Sequence, residues 1–243
     1  MIVRWRWLTP IAIGACALAA VGCGTNAGSS GTTNTTPTSA QGDPHFPRGS
    51  SVGSGIDPAP AIAATVRQAA AAAGCTVRAF PPEATQFQPD RTLHVETEPT
   101  YHQSLPPASG LHYPVWADWG VYDKPIPFRF QVHNLEHGGI VIHLGKALSA
   151  QARQQIQDLW SASPAYMLVV PEDFAKFPAD AVVVTSWQRW LVCKPFDAKG
   201  LAAIRVFRDT YRGTGPEYAP AINSGEGDAT PGLPTPRIKD PDT

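Results

Sequence analysis

The sequence predicts an α+β fold, a mixed or antiparallel sheet with about three flanking helices in a single domain. Three observations predict it. Segments of β-branched and aromatic residues recur between Cys75 and Cys193, and segments with helical spacing lie at the start, middle and end of the same stretch. The two kinds do not alternate strictly, which disfavours a doubly wound parallel sheet.

Taken in order, the chain opens with an export signal. Arg4 and Arg6 precede an apolar stretch, Leu8 to Val21, that is too short to span a bilayer. Ala20-Val21-Gly22-Cys23 resembles the lipobox of bacterial lipoproteins. Residues 1–22 are therefore expected to be a lipoprotein signal peptide, cut before Cys23, whose sulfur then carries lipid; an ordinary signal peptide cut nearby is the alternative. Residues 23–56 are mostly Gly, Ser, Thr, Asn and Pro, with too little apolar surface to offset chain entropy, and are expected to form a disordered tether. The globular domain is expected over 57–212, and the Gly-, Pro- and Asp-rich residues 213–243 as a disordered tail.

Within the domain, Pro58 to Gly74 is Ala-rich with a terminal glycine and predicts a helix, followed by a strand over Cys75 to Phe80. Ser149 to Ala162 predicts a second helix, with Ser149 as its cap and Ile156, Leu159 and Trp160 on one face. Asp197 to Tyr211 predicts a third. Strands are expected at Thr92–Glu96, Phe128–His133, Gly139–Leu144, Tyr166–Val170, Ala181–Thr185 and Trp187–Cys193. Residues 99–127 carry many prolines and aromatics, among them Trp116, Trp119 and Tyr122, and predict a long packed loop.

Charge and cysteine content set limits on function. The formal charge is −1, and loss of Arg4 and Arg6 with the signal takes it to −3. That gives no electrostatic case for nucleic acid or an anionic lipid surface. Cys16 lies in the signal and Cys23 is assigned to lipid, which leaves Cys75 and Cys193. In an oxidising compartment these two most simply form a disulfide, two separate buried thiols being the alternative. No CxxC motif points to redox chemistry.

The chemistry concentrates in His133-Asn134-Leu135-Glu136-His137-Gly138-Gly139-Ile140-Val141-Ile142-His143, where three imidazoles and a carboxylate share eleven residues. His133 to His137 matches HxxEH, the inverted zincin motif, which works only on a helix. Here Phe128 to Val132 reads as strand, Gly138-Gly139 ends any helix, and Ile140 to Leu144 reads as strand again, so the motif is expected to span one turn between two strands. A hairpin-like return then aims His143 toward His133 or His137. With His94 from a strand and His112 from the aromatic loop, a site for zinc or copper(II) becomes possible. Met167 is the only methionine after the signal, which disfavours a copper(I) carrier. The competing reading is that these histidines are hydrogen-bonded core residues. His45 sits in the tether and His102 is a bystander. Gly49 to Gly53 matches GxSxG without the strand and helix that motif needs, and Ser109 is read as a turn serine.

Three blocks in order carry a family resemblance: Pro106-Pro107-Ala108-Ser109-Gly110-Leu111-His112-Tyr113-Pro114, Trp116-Ala117-Asp118-Trp119-Gly120-Val121-Tyr122, and Val132-His133-Asn134-Leu135-Glu136-His137-Gly138-Gly139. They resemble the signature of an uncharacterised secreted bacterial domain family of unknown function, with relatives in animal membrane proteins. The likeness covers roughly residues 60–210, with Ala108 and Leu111 standing where Thr and Pro are usual. It implies compartment and architecture, and singles out His112, His133, Glu136 and His137.

The expected function is that of a lipid-anchored cell-envelope protein on the outer face of the cell membrane, with the membrane as its partner through the N-terminal lipid. Its metal site would draw on His94, His112, His133, His137 and His143. Two alternatives stand beside it. One is a metal-dependent hydrolase with Glu136 as general base; the other is a structural or interaction module of the envelope that binds no metal.

Overall fold

Runs of Val, Ile and Leu with almost no polar interruption suit strands covered on both faces. Three such runs form the centre of the sheet: β3 (Ile140–Leu144), β4 (Met167–Pro171) and β5 (Val182–Ser186). The structure, a computed structural model, describes residues 59–81, 94–101, 106–217 and 235–239. These lie in one unit, Gly42–Thr243. The expected signal peptide and tether, with Cys23 and His45, and also His102 and most of the tail, lie outside the described residues.

Around the three central strands are β1 (Thr76–Ala79), β2 (Gly120–Val121), β6 (Arg189–Cys193) and β7 (Ile238–Lys239), in the order β1-β6-β5-β3-β4-β2-β7. β4 is parallel to both β3 and β2, and every other pairing is antiparallel. The sheet is mixed, as the sequence predicts. The tail departs from its expectation at two points among the described residues: β7 pairs with β2 through Ile238 opposite Val121, and residues 213–217 bond to the end of the 133–138 segment.

Helices α1 (Ala64–Ala72), α3 (Ala150–Ser161) and α4 (Ala198–Tyr211) are the three that helical spacing predicts. Ser149 Oγ accepts from the Ala152 amide, and Asp197 Oδ1 accepts from Lys199 and Gly200, satisfying first-turn donors. Their apolar faces share one core with Ile140, Ile142, Leu144, Val169, Val184 and Leu191. Because strand side chains alternate, Val141, Leu168 and Val170 emerge on the opposite face and pack against Trp119, Tyr122, Ile126, Phe130 and Leu135. Cys75 and Cys193 form the expected disulfide, across a sequence separation of 118, beside the β1–β6 pair of Thr76 and Val192.

A fourth helix corrects the sequence reading. Phe128–Glu136, expected as a strand over Phe128–His133, is α2, with Pro127 at its N-cap and His137 at its C-cap. Phe128, Phe130 and Val132 alternate with polar residues, a period-2 pattern that reads as strand. Helix wins because its polar side chains serve the neighbouring loop. Asn134 accepts from the Ala117 amide at 3.0 Å and donates to the Ala117 carbonyl at 2.8 Å, and Gln131 donates to the Ile126 carbonyl. Such partners let Gln131, His133, Asn134 and Glu136 all be buried on one helix. The expected strand at Thr92–Glu96 reduces, among the described residues, to a single bridge between His94 and His112.

Candidate metal centre

Helix α2 puts His133 and His137 one turn apart on the same face. Their Nε2 atoms lie 2.8 Å apart and the rings are stacked with centroids 4.7 Å apart. Glu136 reaches sideways to His112, with Oε2 2.8 Å from His112 Nε2 and 3.8 Å from His94 Nε2. The ligand atoms of His94, His112, His133 and Glu136 all lie within 4.8 Å of one another, so this group can hold a metal ion. His112, His133 and Glu136 are buried, whereas the His94 side chain is 34 % exposed and forms the solvent edge.

The backbone decides which nitrogen each ring offers. His112 Nδ1 lies 2.9 Å from the Gly110 carbonyl oxygen, and His133 Nδ1 lies 2.7 Å from that of Tyr113. A carbonyl can only accept, so each Nδ1 carries a proton; His112 Nε2 then faces Glu136 Oε2 and His133 Nε2 faces His137 Nε2, each at 2.8 Å. Burial, followed by the neighbouring His112, His137 and His94, pushes the His133 pKa well below the ordinary histidine value, against a smaller upward pull from the Tyr113 carbonyl. His133 is therefore neutral at pH 7, the form that binds metals.

The loop that delivers His112 is fixed from several sides. The Tyr113 amide donates to the Arg129 carbonyl, the Arg129 guanidinium sits 4.5 Å over the Tyr113 ring, and Arg129 pairs with Glu98. Val95 donates to the His112 carbonyl and the Tyr101 hydroxyl to that of Leu111, which holds the 94–101 segment and His94 in place. Trp116 meets both His133 and His137 edge-on, with centroids at 5.1 and 4.7 Å.

After α2 the chain turns at Gly138, whose φ of +82° favours glycine. Residues 213–217 lie on this turn: Gly213 donates to the Gly138 carbonyl and Glu217 to that of Glu136. A Cβ on Gly215 would come within 2.0 Å of the Glu136 oxygen, so only glycine fits there. This contact brings the buried Glu217 carboxylate to 3.9 Å from His137 Nδ1. Sequence reading missed Glu217, which stands in a Gly/Pro-rich stretch with no motif spacing to mark it.

Of the five histidines predicted for the metal, His94, His112 and His133 gather with Glu136, and His137 adjoins them through His133. His143 does not join. The expected hairpin is absent because its first strand is α2, and His143 instead places Nδ1 2.7 Å from Glu172 Oε1 and Nε2 3.0 Å from Thr185 Oγ1. Glu136, expected as a general base, has its carboxylate among the rings. Ser109 is fully buried, in keeping with a turn serine rather than a nucleophile open to substrate.

Residues 94–223, more than half of the chain, match a family model described as "Protein of unknown function (DUF3105)". The chain belongs to this family. No curated protein and no solved structure matches it.

Proposed function

We propose that this protein binds one transition-metal ion, zinc or copper(II), through His94, His112, His133 and Glu136. The supporting observation is the pair of rings whose Nδ1 protons are donated to the Gly110 and Tyr113 carbonyls. Metal-bound histidines are oriented in this way, with the outer nitrogen held so that the inner lone pair faces the ion. Four ligands at about 2.0–2.2 Å around a tetrahedral ion stand roughly 3.3 Å apart. The ligand atoms now stand 2.8 to 4.8 Å apart, a range that brackets that spacing. Three imidazoles and one carboxylate suit zinc or copper(II) and leave no free coordination position, the mark of a binding site rather than a hydrolytic one.

One observation favours a hydrolase as the second reading. HxxEH chemistry needs a helix, and α2 supplies it, with His133 and His137 facing the same way. Against it, Glu136 is 3 % exposed and directed at His112, where it serves as a ligand rather than as a base for water. The expected setting is the outer face of a cell membrane, with the domain tethered through lipid on Cys23.

Metal content tests the reading. The full-length chain, refolded in zinc or in copper(II) and dialysed, should retain one ion per chain, and His112→Ala and His133→Ala should retain none. Thermal unfolding of wild type should shift down on chelation. A chain with no stoichiometric metal and the same transition with or without chelator would reduce the cluster to a hydrogen-bonded brace. An ion that keeps an exchangeable water, seen by relaxation of bulk water around the copper(II) form, would favour the hydrolase.

A further inference from the structure

We propose a second ligand site, for a small carboxylate- or phosphate-bearing molecule, on the opposite face of the sheet. It is a cavity of about 290 Å³ lined by Val121, Leu144, Arg153, Gln157, Val169 and Arg237, with Ala150 and Gln154 at its helical wall. None of these residues takes part in the metal centre, so the two proposals stand or fall separately.

Topology supports the placement. β2, β4 and β3 run parallel, and the chain leaves β2 for α2 on one face of the sheet and leaves β3 for α3 on the other. In open parallel sheets ligands bind in the crevice outside the carboxyl ends of the strands, and the parallel part of this mixed sheet offers a crevice of the same kind. Val121 and Leu144 close β2 and β3 at that edge, and both are buried. Ala150, Arg153, Gln154 and Gln157 fall at the spacing i, i+3, i+4 and i+7, one face of α3 turned to the cavity.

The lining specifies the ligand. Val121, Leu144 and Val169 make an apolar floor for a short hydrocarbon body. Arg153 and Arg237 supply two guanidinium groups, against one carboxylate, Asp123. Both arginines are held in position: Arg153 Nη2 donates to the Gly145 carbonyl at 2.7 Å, and Arg237 donates to Asp123 through Nε and to Gln157 Oε1 through Nη2. Each keeps further N–H groups beyond those bonds, and fixed guanidinium forks match carboxylate and phosphate oxygens. The volume lies at the lower end for small-molecule sites, roughly 300–1,000 Å³, which limits the guest to a compact one.

The test is titration of the full-length chain, at constant ionic strength held with chloride, with succinate and with inorganic phosphate as separate probes, followed by amide NMR shifts. Either probe should give saturable shifts at Val121, Leu144 and Arg153, and comparing the two assigns the oxyanion. Arg237→Gln and Gln154→Glu change exposed side chains, the second giving up the bond from Gln154 Nε2 to Asp158 Oδ1, and the unfolding midpoint of each is checked against wild type. Each should weaken binding at least about ten-fold, the loss expected when a charge-assisted contact is removed or opposed. Shifts that never saturate, or affinities unchanged in both variants, would overturn the site.

Discussion

Glu136 Oε2 and His112 Nε2 lie 2.8 Å apart inside the protein, and the other nitrogen of that ring already donates to Gly110. Two acceptors cannot face each other at that distance without a positive charge or a proton between them. Three states satisfy the pair: an imidazolium beside a carboxylate, a protonated carboxyl group, or a cation bound to both. The metal proposal assigns the third.

Glu136→Gln tests the metal state by affinity and the two metal-free states by stability. In chelator the wild-type pair falls back on one of those two; where it is the protonated carboxyl group, a glutamine amide donates to the same nitrogen and the variant should unfold within about 1 kcal/mol of wild type. Its zinc or copper(II) affinity should fall on the order of 10- to 100-fold or more, as when shells of metal sites are altered. An imidazolium–carboxylate pair predicts the reverse, a loss of about 3–5 kcal/mol in chelator from one buried charge left alone. Urea unfolding with and without chelator distinguishes the two.

Much of this fold was legible because its period was. Alternating or continuous apolar runs marked β3, β4, β5 and β6 to within two residues, and Ser149 and Asp197 marked the starts of α3 and α4. α2 was misread because Phe128, Phe130 and Val132 alternate as in a strand, while the partners that favour helix, the Ala117 and Tyr113 backbone groups, lie 17 and 20 residues from the side chains they hold. The site was visible in its residue types but not in its geometry. Residue types and the family blocks drew attention to His94, His112, His133, Glu136 and His137, but His143 belonged to Glu172 and Thr185, 29 and 42 residues downstream, which no local spacing discloses.

Asn134 should be among the costliest residues to truncate. Its amide bonds both the N–H and the C=O of Ala117 and is fully buried. Asn134→Ala leaves two backbone groups without partners, a penalty of about 1–3 kcal/mol each. We expect a loss of roughly 2–5 kcal/mol in urea unfolding. The loop that carries Trp116 should loosen as well, so Trp fluorescence of the folded variant should change. Stability within 1 kcal/mol of wild type would mean that water replaces the amide.

The disulfide and the metal centre should be separable. Cys75–Cys193 fastens the β1–β6 edge, whereas the site sits between α2 and the segments that carry His94 and His112. Replacing both cysteines by serine should cost about 3–5 kcal/mol by the loop-entropy relation for so long a loop. Metal stoichiometry of the folded fraction should stay at the wild-type value. Loss of metal without loss of stability would show that the bridge acts on the site itself.

Stability should fall as the solution is acidified, and His133 should account for part of the slope. Its pKa in the folded protein is depressed, chiefly by burial and then by the surrounding histidines, whereas the unfolded chain titrates near the ordinary histidine value of 6.5. Between those two values the unfolded state binds the extra proton, so unfolding is favoured as pH falls. The His133 contribution is therefore fully present above about pH 6.5 and is lost below it, with a limiting slope of about 1.4 kcal/mol per pH unit for one proton. In chelator, so that metal release adds nothing, the unfolding free energy should be level from pH 8 to 7 and decline toward pH 5. His133→Gln, which cannot take up the proton, should be less stable at pH 7 but show a slope shallower by up to one proton. Equal slopes in the two proteins would place the acid sensitivity elsewhere in the cluster.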